Sequence, residues 1–333
     1  MTAPLLAVRD LKTHFQAGRS WPFGPRAAAL KAVDGVSFEI QAGEVLGLVG
    51  ESGCGKSTVG RTLTRLEPST SGEALLEGQD ILRLSQAAFR PLRGQIQMIF
   101  QDPFASLNPR LTIEQTLAEP LRIHGLAATA RDARARIAEI LALVGLDPKV
   151  MSRHPHQFSG GQRQRIAIAR VMILSPRLVI ADEPVSALDV SIQAQVLNLI
   201  KEIQRKSSVA MLFISHDLGV VRHISDRVAV MYLGRIVETG PKAEIFARPS
   251  HPYTRLLLDS IPRPDPSRAG RRAKALGEPA SAAAPPPGCS FHPRCPFATQ
   301  RCSVEAPEYV ALSDNHRSAC HNIAALPGKQ ANE

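Results

Sequence analysis

Glu44-Val-Leu-Gly-Leu-Val-Gly50-Glu-Ser-Gly-Cys-Gly-Lys56-Ser57-Thr58 runs from an apolar stretch through a glycine-rich loop into KSTVGRTLTRL, residues 56–66. Residues 44–50 read as a buried strand that ends in glycine, and 56–66 has helical periodicity. Gly50 to Ser57 fits G-x-x-x-x-G-K-[ST], and strand–loop–helix is the context that makes that pattern a P-loop. The physical reason is specific. Glycines let the backbone wrap tightly, so successive N–H groups point at phosphate oxygens. The helix N-terminus adds unpaired donors and a favourable dipole. Gly50, Glu51, Ser52, Gly53, Cys54, Gly55, Lys56, Ser57 and Thr58 are therefore expected to contact ATP. Lys56 would reach the β- and γ-phosphates and the Ser57 hydroxyl would ligate Mg²⁺. Cys54 reads as a small filler of the loop.

Outward from this loop, short apolar runs alternate with helical ones. QIQMIF (95–100), RLVIAD (177–182), AMLFIS (210–215) and RVAVMY (227–232) read as strands of a parallel sheet covered on both faces. Residues 110–175 are helical in pattern, which predicts a helical subdomain, about 102–175, inserted into an α/β core. The α/β domain is expected to span 5–261, with a loop at 16–31. Residues 262–288 hold 7 Pro, 7 Ala and 3 Gly, a composition that reads as an extended linker. A small Cys-rich module, 289–325, would follow, set apart by that linker from the nucleotide site.

Two further motifs carry chemistry. Leu178-Val-Ile-Ala-Asp182-Glu183 is an apolar strand ending in two carboxylates. In open α/β sheets, ligands bind at the carboxyl ends of the strands. Asp182 can then hold Mg²⁺, and Glu183 can orient or deprotonate the attacking water. Phe158-Ser159-Gly160-Gly161-Gln162 precedes a helix, with Ser a favoured N-cap and two glycines exposing N–H groups. That makes a second anion site. One nucleotide does not need two on one chain, but a head-to-tail dimer does, if each chain's Ser159 faces the other chain's P-loop.

Composition sets the bounds. The chain has 333 residues and is 44% hydrophobic, enough for a normal core. No apolar run is long enough to span a bilayer. The N-terminus lacks the pattern of a signal peptide, so a cytosolic protein without structural disulfides is expected. Net charge is +10, and between Arg83 and Arg177 there are 14 basic residues against 6 acidic. An Arg-rich composition explains that as well as a nucleic-acid partner does.

The P-loop, FSGGQ, LVIADE, Ser186-Ala187-Leu188-Asp189, and His216 after AMLFIS are ordered motifs. Over about residues 5–260 they resemble the nucleotide-binding subunits of ATP-binding cassette (ABC) transporters. The resemblance implies a P-loop NTPase core with an antiparallel β subdomain. It implies that Gln101 touches Mg²⁺ and water and that His216 contacts the γ-phosphate. Asp189 would cross between the two ATPase chains, and Phe15 would stack on adenine. Gln101-Asp-Pro-Phe-Ala-Ser-Leu-Asn-Pro-Arg110, His251-Pro-Tyr-Thr-Arg255 and CSFHPRCPF are similar to the oligopeptide/dipeptide importer class, which includes nickel and glutathione importers. Such a protein is the ATP-hydrolysing motor subunit at the cytoplasmic face of the inner membrane. Its partners are two membrane permease subunits, an external binding protein and a second ATPase, usually a paralogue. The basic stretch then faces anionic lipid, and no nucleic-acid partner is expected. The alternative is a non-transport cassette ATPase acting on nucleic acid or ribosomes.

Cys289, Cys295, Cys302 and Cys320 are separated by 5, 6 and 17 residues. Structural zinc commonly uses tighter pairs, although His292, His316 and His321 could substitute. Four thiolates also suit an iron–sulfur cluster, but the spacing matches neither ferredoxin pattern. Free thiols are the third reading. The importer resemblance implies a [4Fe–4S] cluster on these four cysteines, with Zn²⁺ the alternative.

Overall fold

The strand that feeds the P-loop, Val45–Val49, is buried along its whole length. It pairs in parallel with Arg227–Tyr232, Leu46 opposite Arg227 and Val49 opposite Val230. The computed structural model describes residues 3–16, 29–261 and 281–323. Residues 17–28 of the expected loop, 262–280 of the expected linker and 324–325 of the expected module lie outside the described residues. The chain divides into two units.

The first unit takes in Ile40–Val45 and Arg83–Ile214, with the N-terminal residues through Leu5. Its strands are parallel: Ile96–Ile99 beside Leu178–Asp182, and Leu178–Asp182 beside Ala210–Ser215. Leu178–Asp182 and Ala210–Ser215 are buried at every position, which is why they read as unbroken apolar runs. No strand lies between Ile99 and Leu178 among the described residues. Helices Ile113–Ile123, Ala130–Leu143 and Gly160–Met172 fill that interval. Thr112, Thr129 and Ser159 each cap one of them through a reciprocal box with the residue three positions on, so each start is written locally. Arg170 ties the last of these helices to the Ser106 carbonyl at 2.8 Å.

The second unit holds Leu6–Glu39, Leu46–Leu82 and the chain from Ser215 onward. Leu30–Ile40, Leu6–Phe15, Ser71–Leu76 and Gln79–Asp80 make a four-stranded sheet in that order. Leu6–Phe15 runs antiparallel to Ser71–Leu76. Arg227–Tyr232 continues through Leu233 (φ 42°) and Gly234 (φ 79°) into Arg235–Pro241. Two consecutive positive φ angles are what a tight hairpin requires. The antiparallel strand Arg235–Pro241 escapes the sequence pattern because its inward positions include Glu238, a fully buried carboxylate.

The tail is not a free-standing module. His316–Ser318 pairs antiparallel with Arg235–Pro241, and Val310–Ser313 pairs with His316–Ser318, so the tail extends a sheet of this unit. Phe291, 2% exposed, packs on Tyr232, Tyr253 and His251 at ring separations of 5.3, 5.4 and 5.8 Å. Burying that ring contributes about 2–3 kcal/mol. Tyr309 also donates to the Ile236 carbonyl.

Glu238 is satisfied by the N–H groups of Ser250 and His251 and by His316 Nε2 at 2.8 Å. His316 Nδ1 meets Glu244 at 3.0 Å. The hydrogen bond to Glu238, followed by the charge of the two carboxylates, raises the His316 pKa above its ordinary value. A raised folded-state pKa contributes stability that is complete below the unfolded value and lost as pH rises through the folded one. Protection of residues 310–318 against hydrogen exchange, taken relative to the free-peptide rate at each pH, therefore carries a His316 contribution that is complete below about pH 6.5 and is lost as pH rises through the raised folded value. His316→Gln should flatten that profile and cost about 1.5–3 kcal/mol of docking at low pH. An unchanged profile in the variant would remove His316 from this role. His251 acts with the opposite sign: burial lowers its pKa to about 4, so it opposes folding at acid pH. The difference between wild type and variant isolates His316.

Among the described residues, no helix is long and apolar enough to cross a membrane.

Candidate nucleotide site

The P-loop geometry explains its composition. A side chain at Gly50 would meet the Met231 carbonyl at 2.1 Å, and one at Gly55 (φ 107°) would meet the Ala32 carbonyl at 1.9 Å. Backbone atoms cannot yield, so both positions exclude every larger residue. Helix Lys56–Leu63 starts with no side-chain cap, and a helix N-terminus is an end that favours an anionic ligand. Lys56, 4% exposed, donates to the carbonyls of Gly50 and Glu51 at 2.8 and 2.9 Å. The Cys54 thiol is buried and its pKa is raised by that burial, as an inert filler requires. Ser52 and Gly53 are exposed, and Ser57 and Thr58 are half-buried. The hairpin turn also braces the loop, since Gly234 N–H donates to the Cys54 carbonyl at 2.9 Å.

Two contacts to the loop escape the sequence reading. Glu51 N–H donates to the Tyr253 hydroxyl at 2.8 Å. Arg294 grips the Glu51 carboxylate with both terminal nitrogens, at 2.8 and 2.9 Å. The expectation that the proline/alanine stretch holds the cysteine segment away from the loop is thereby corrected. Phe291 anchors the segment and carries Arg294 to Glu51. His251-Pro-Tyr-Thr-Arg255 gains a physical meaning too. The neutral His251 Nδ1 accepts from Tyr253 N–H at 3.1 Å and Pro252 opens the helix, which fixes Tyr253.

In the first unit, Gln101 Nε2 donates to Glu183 Oε2 at 3.0 Å, so the two predicted side chains meet. Glu183 has φ 47°, rare for a non-glycine residue and costly by about 1 kcal/mol or more. Three contacts hold it there. Its N–H donates to the Ile214 carbonyl, and its carbonyl accepts from Ser186 N–H and the Ser186 hydroxyl. Asp182 is 3% exposed, at the end of the strand.

Ser159 caps helix Gly160–Met172, its hydroxyl oxygen accepting from Gln162 N–H at 3.3 Å while Gln162 Oε1 accepts from Ser159 N–H at 3.1 Å. The exposed hydroxyl keeps its hydrogen to donate outward. A side chain at Gly161 would meet Ile192 Cγ2 at 2.5 Å, so that position is held small by packing. Phe158, 5% exposed, anchors the motif. Asp189 lies exposed at the start of Val190–Ser207. His216 is exposed just after Ala210–Ser215. Phe15 is half-buried at the end of Leu6–Phe15.

The four tail cysteines form no disulfide. Burial raises the pKa of Cys289, Cys320 and Cys295, the last to about 11, and each of the three is raised further by other cysteines of the four. Backbone N–H groups point at the four sulfurs: Phe291 and His292 at Cys289, Phe297 at Cys295, Thr299 at Cys302, Asn322 at Cys320. Among the described residues no three His, Cys, Asp or Glu side chains are drawn close enough to hold a single metal ion. The histidines named as substitutes are engaged elsewhere, His316 by two glutamates, His292 by the Cys289 carbonyl and His321 by the Glu305 carbonyl.

The sequence profile of the ABC transporter family matches residues 33–186, and that of the oligopeptide/dipeptide transporter C-terminal region matches 237–302. The chain is 53% identical to the oligopeptide transport ATP-binding protein AppF of Bacillus subtilis, over 95% of this chain and 97% of that protein. It is 49% identical to the di/tripeptide transport ATP-binding protein DppF of Pseudomonas aeruginosa, over 97% and 99%. Among solved structures it is similar to the dimeric ATP-binding cassette MJ0796 bound to ADP and Pi. That likeness has a TM-score of 0.63 and 26% identity, over 71% of this chain and 98% of that one.

Proposed function

This chain belongs to the ABC transporter family as an ATP-binding subunit of the oligopeptide/dipeptide class, and from that premise we propose how its residues drive import. It is the ATPase motor of a peptide importer, working in a complex with permeases and a dimeric ATPase. The observation that supports the peptide class most directly is the tail, since its profile match covers 237–302 and includes Tyr253, Phe291 and Arg294.

Gly50 to Thr58 bind the phosphates of ATP, Lys56 neutralising charge on the β- and γ-groups. Ser57, Asp182 and Gln101 supply oxygen donors of the kind Mg²⁺ prefers, Asp182 from the buried end of its strand. When bound, the ion neutralises charge developing on the phosphate oxygens. Glu183, aligned by Gln101, orients the attacking water and takes its proton. His216 contacts the γ-phosphate, and Phe15 stacks on adenine. Ser159, Gly160, Gly161 and Gln162 of the opposing ATPase close over the same phosphates, with Asp189 coupling the two chains. The opposing chain is a paralogue, and the complex lies at the cytoplasmic face of the membrane, served by an external binding protein.

The tail cysteines hold a [4Fe–4S] cluster. The chemistry of the donor set supports this: each of the four sulfurs receives N–H donors, which favour thiolate ligands, and the neighbouring histidines are committed to other partners.

Co-expression with permease subunits of the oligopeptide/dipeptide class, followed by reconstitution with a binding protein of that class, tests the motor assignment. ATP-dependent uptake of labelled di- or oligopeptide is expected. Co-purification with nucleic acid or ribosomes, and ATPase stimulated by them, would favour the non-transport alternative instead.

A further inference from the structure

The P-loop carries a carboxylate that its own chemistry does not need. Glu51 stands among N–H groups meant for a polyanion, and its side chain is about a third exposed, at 32%. A bare carboxylate there repels a triphosphate. Arg294 meets it with a two-pronged ion pair, and the arginine side chain is only 5% exposed. The guanidinium is set between Tyr232 and Phe291, 5.9 and 5.8 Å from their ring centres, an arrangement that favours a cation. Arg294 has little freedom of its own. It ends the turn His292–Arg294, fixed by Arg294 N–H to the Phe291 carbonyl and closed on either side by His292 N–H to Cys289 and Cys295 N–H to His292. Tyr253 secures the same loop residue by its backbone.

We propose that Arg294 is a positioning residue for ATP binding, neutralising and fixing Glu51 so that the P-loop presents a positive face to the nucleotide, and that docking of the cysteine tail is thereby required for full ATP affinity. The inference rests on the P-loop being the ATP site. It differs from a purely structural tail because the effect passes through one carboxylate.

The test measures Mg-ATP binding to the full chain and KM against kcat in the reconstituted complex. Arg294→Gln should weaken ATP binding and raise KM about tenfold, with kcat changed less than about twofold, the loss typical of stranding one partner of a charged pair. Arg294→Lys, which keeps the charge but not the fork, should fall between. In a Glu51→Gln background, Arg294→Gln should cost less than about twofold, since no carboxylate is left to neutralise. An equal loss in both backgrounds would mean that Arg294 only holds the tail folded, and would overturn the proposal. Arg294→Gln with wild-type affinity would overturn it too. If the wild-type chain itself bound no ATP, the nucleotide-site reading would fail instead.

Discussion

Glu183→Gln is expected to leave ATP binding intact and cut turnover by about a hundredfold or more, the usual cost of losing a general base. The substitution is close to isosteric. The backbone at 183 sits at φ 47°, and the Ile214 and Ser186 contacts that hold it there use main-chain atoms of residue 183, so they survive. A glutamine oxygen can still accept from Gln101 Nε2, which keeps the local geometry. What disappears is the acceptor for the water's proton. ATP then persists at the site, and the ATPase pair should accumulate in its closed, ATP-bound form. Light scattering of the purified ATPase pair with Mg-ATP would read the dimer, and phosphate release the turnover. If a complex with its other site blocked hydrolyses ATP at near-normal rate, Glu183 is not the base.

The P-loop could be read from sequence because its constraints are local. Gly50 and Gly55 are fixed by clashes with single carbonyls, and Lys56 by the loop it closes. The buried parallel strands were equally legible, since a strand covered on both faces is an apolar run. Ser159 and Gln162 cap their own helix, so that site too is written in four residues.

Legibility ends where partners are far apart in the chain. Arg294 and Glu51 are 243 positions apart, and neither has a pattern that names the other. Tyr253 lies 202 positions from Glu51 and stood in the sequence only as part of a class mark. Glu238 misled in another way: a carboxylate at an inward strand position breaks the alternation that announces a strand, and its partners, His316 among them, come from the tail. Gln101 and Glu183 were each assigned, but their hydrogen bond across 82 positions is a product of the fold.

The tail supplies the other large effect. Protein purified without oxygen is expected to be brown, with about four iron and four acid-labile sulfide per chain, and Cys302→Ser should bring both near zero. Cys302 is the most buried of the four, at 6% exposed, and the most heavily hydrogen-bonded through sulfur, receiving Thr299 and the Asn322 side-chain amide. Its carbonyl also accepts from Cys289 N–H, so it links the first cysteine turn to the third. Burial and crowding raise the pKa of three of these thiols, so gathering them as thiolates without a cation is unfavourable, and a metal centre would supply the missing charge. The docking of Phe291 does not depend on sulfur chemistry, so the variant should keep its sheet and fold while losing colour. Because the turn that spans Cys289 to Cys295 also carries Arg294, loss of the cluster should weaken ATP binding as Arg294→Gln does, and to a smaller degree. Colourless anaerobic protein with about one zinc per chain would sink the cluster and favour a zinc site. Colourless protein with neither metal would leave four free thiols.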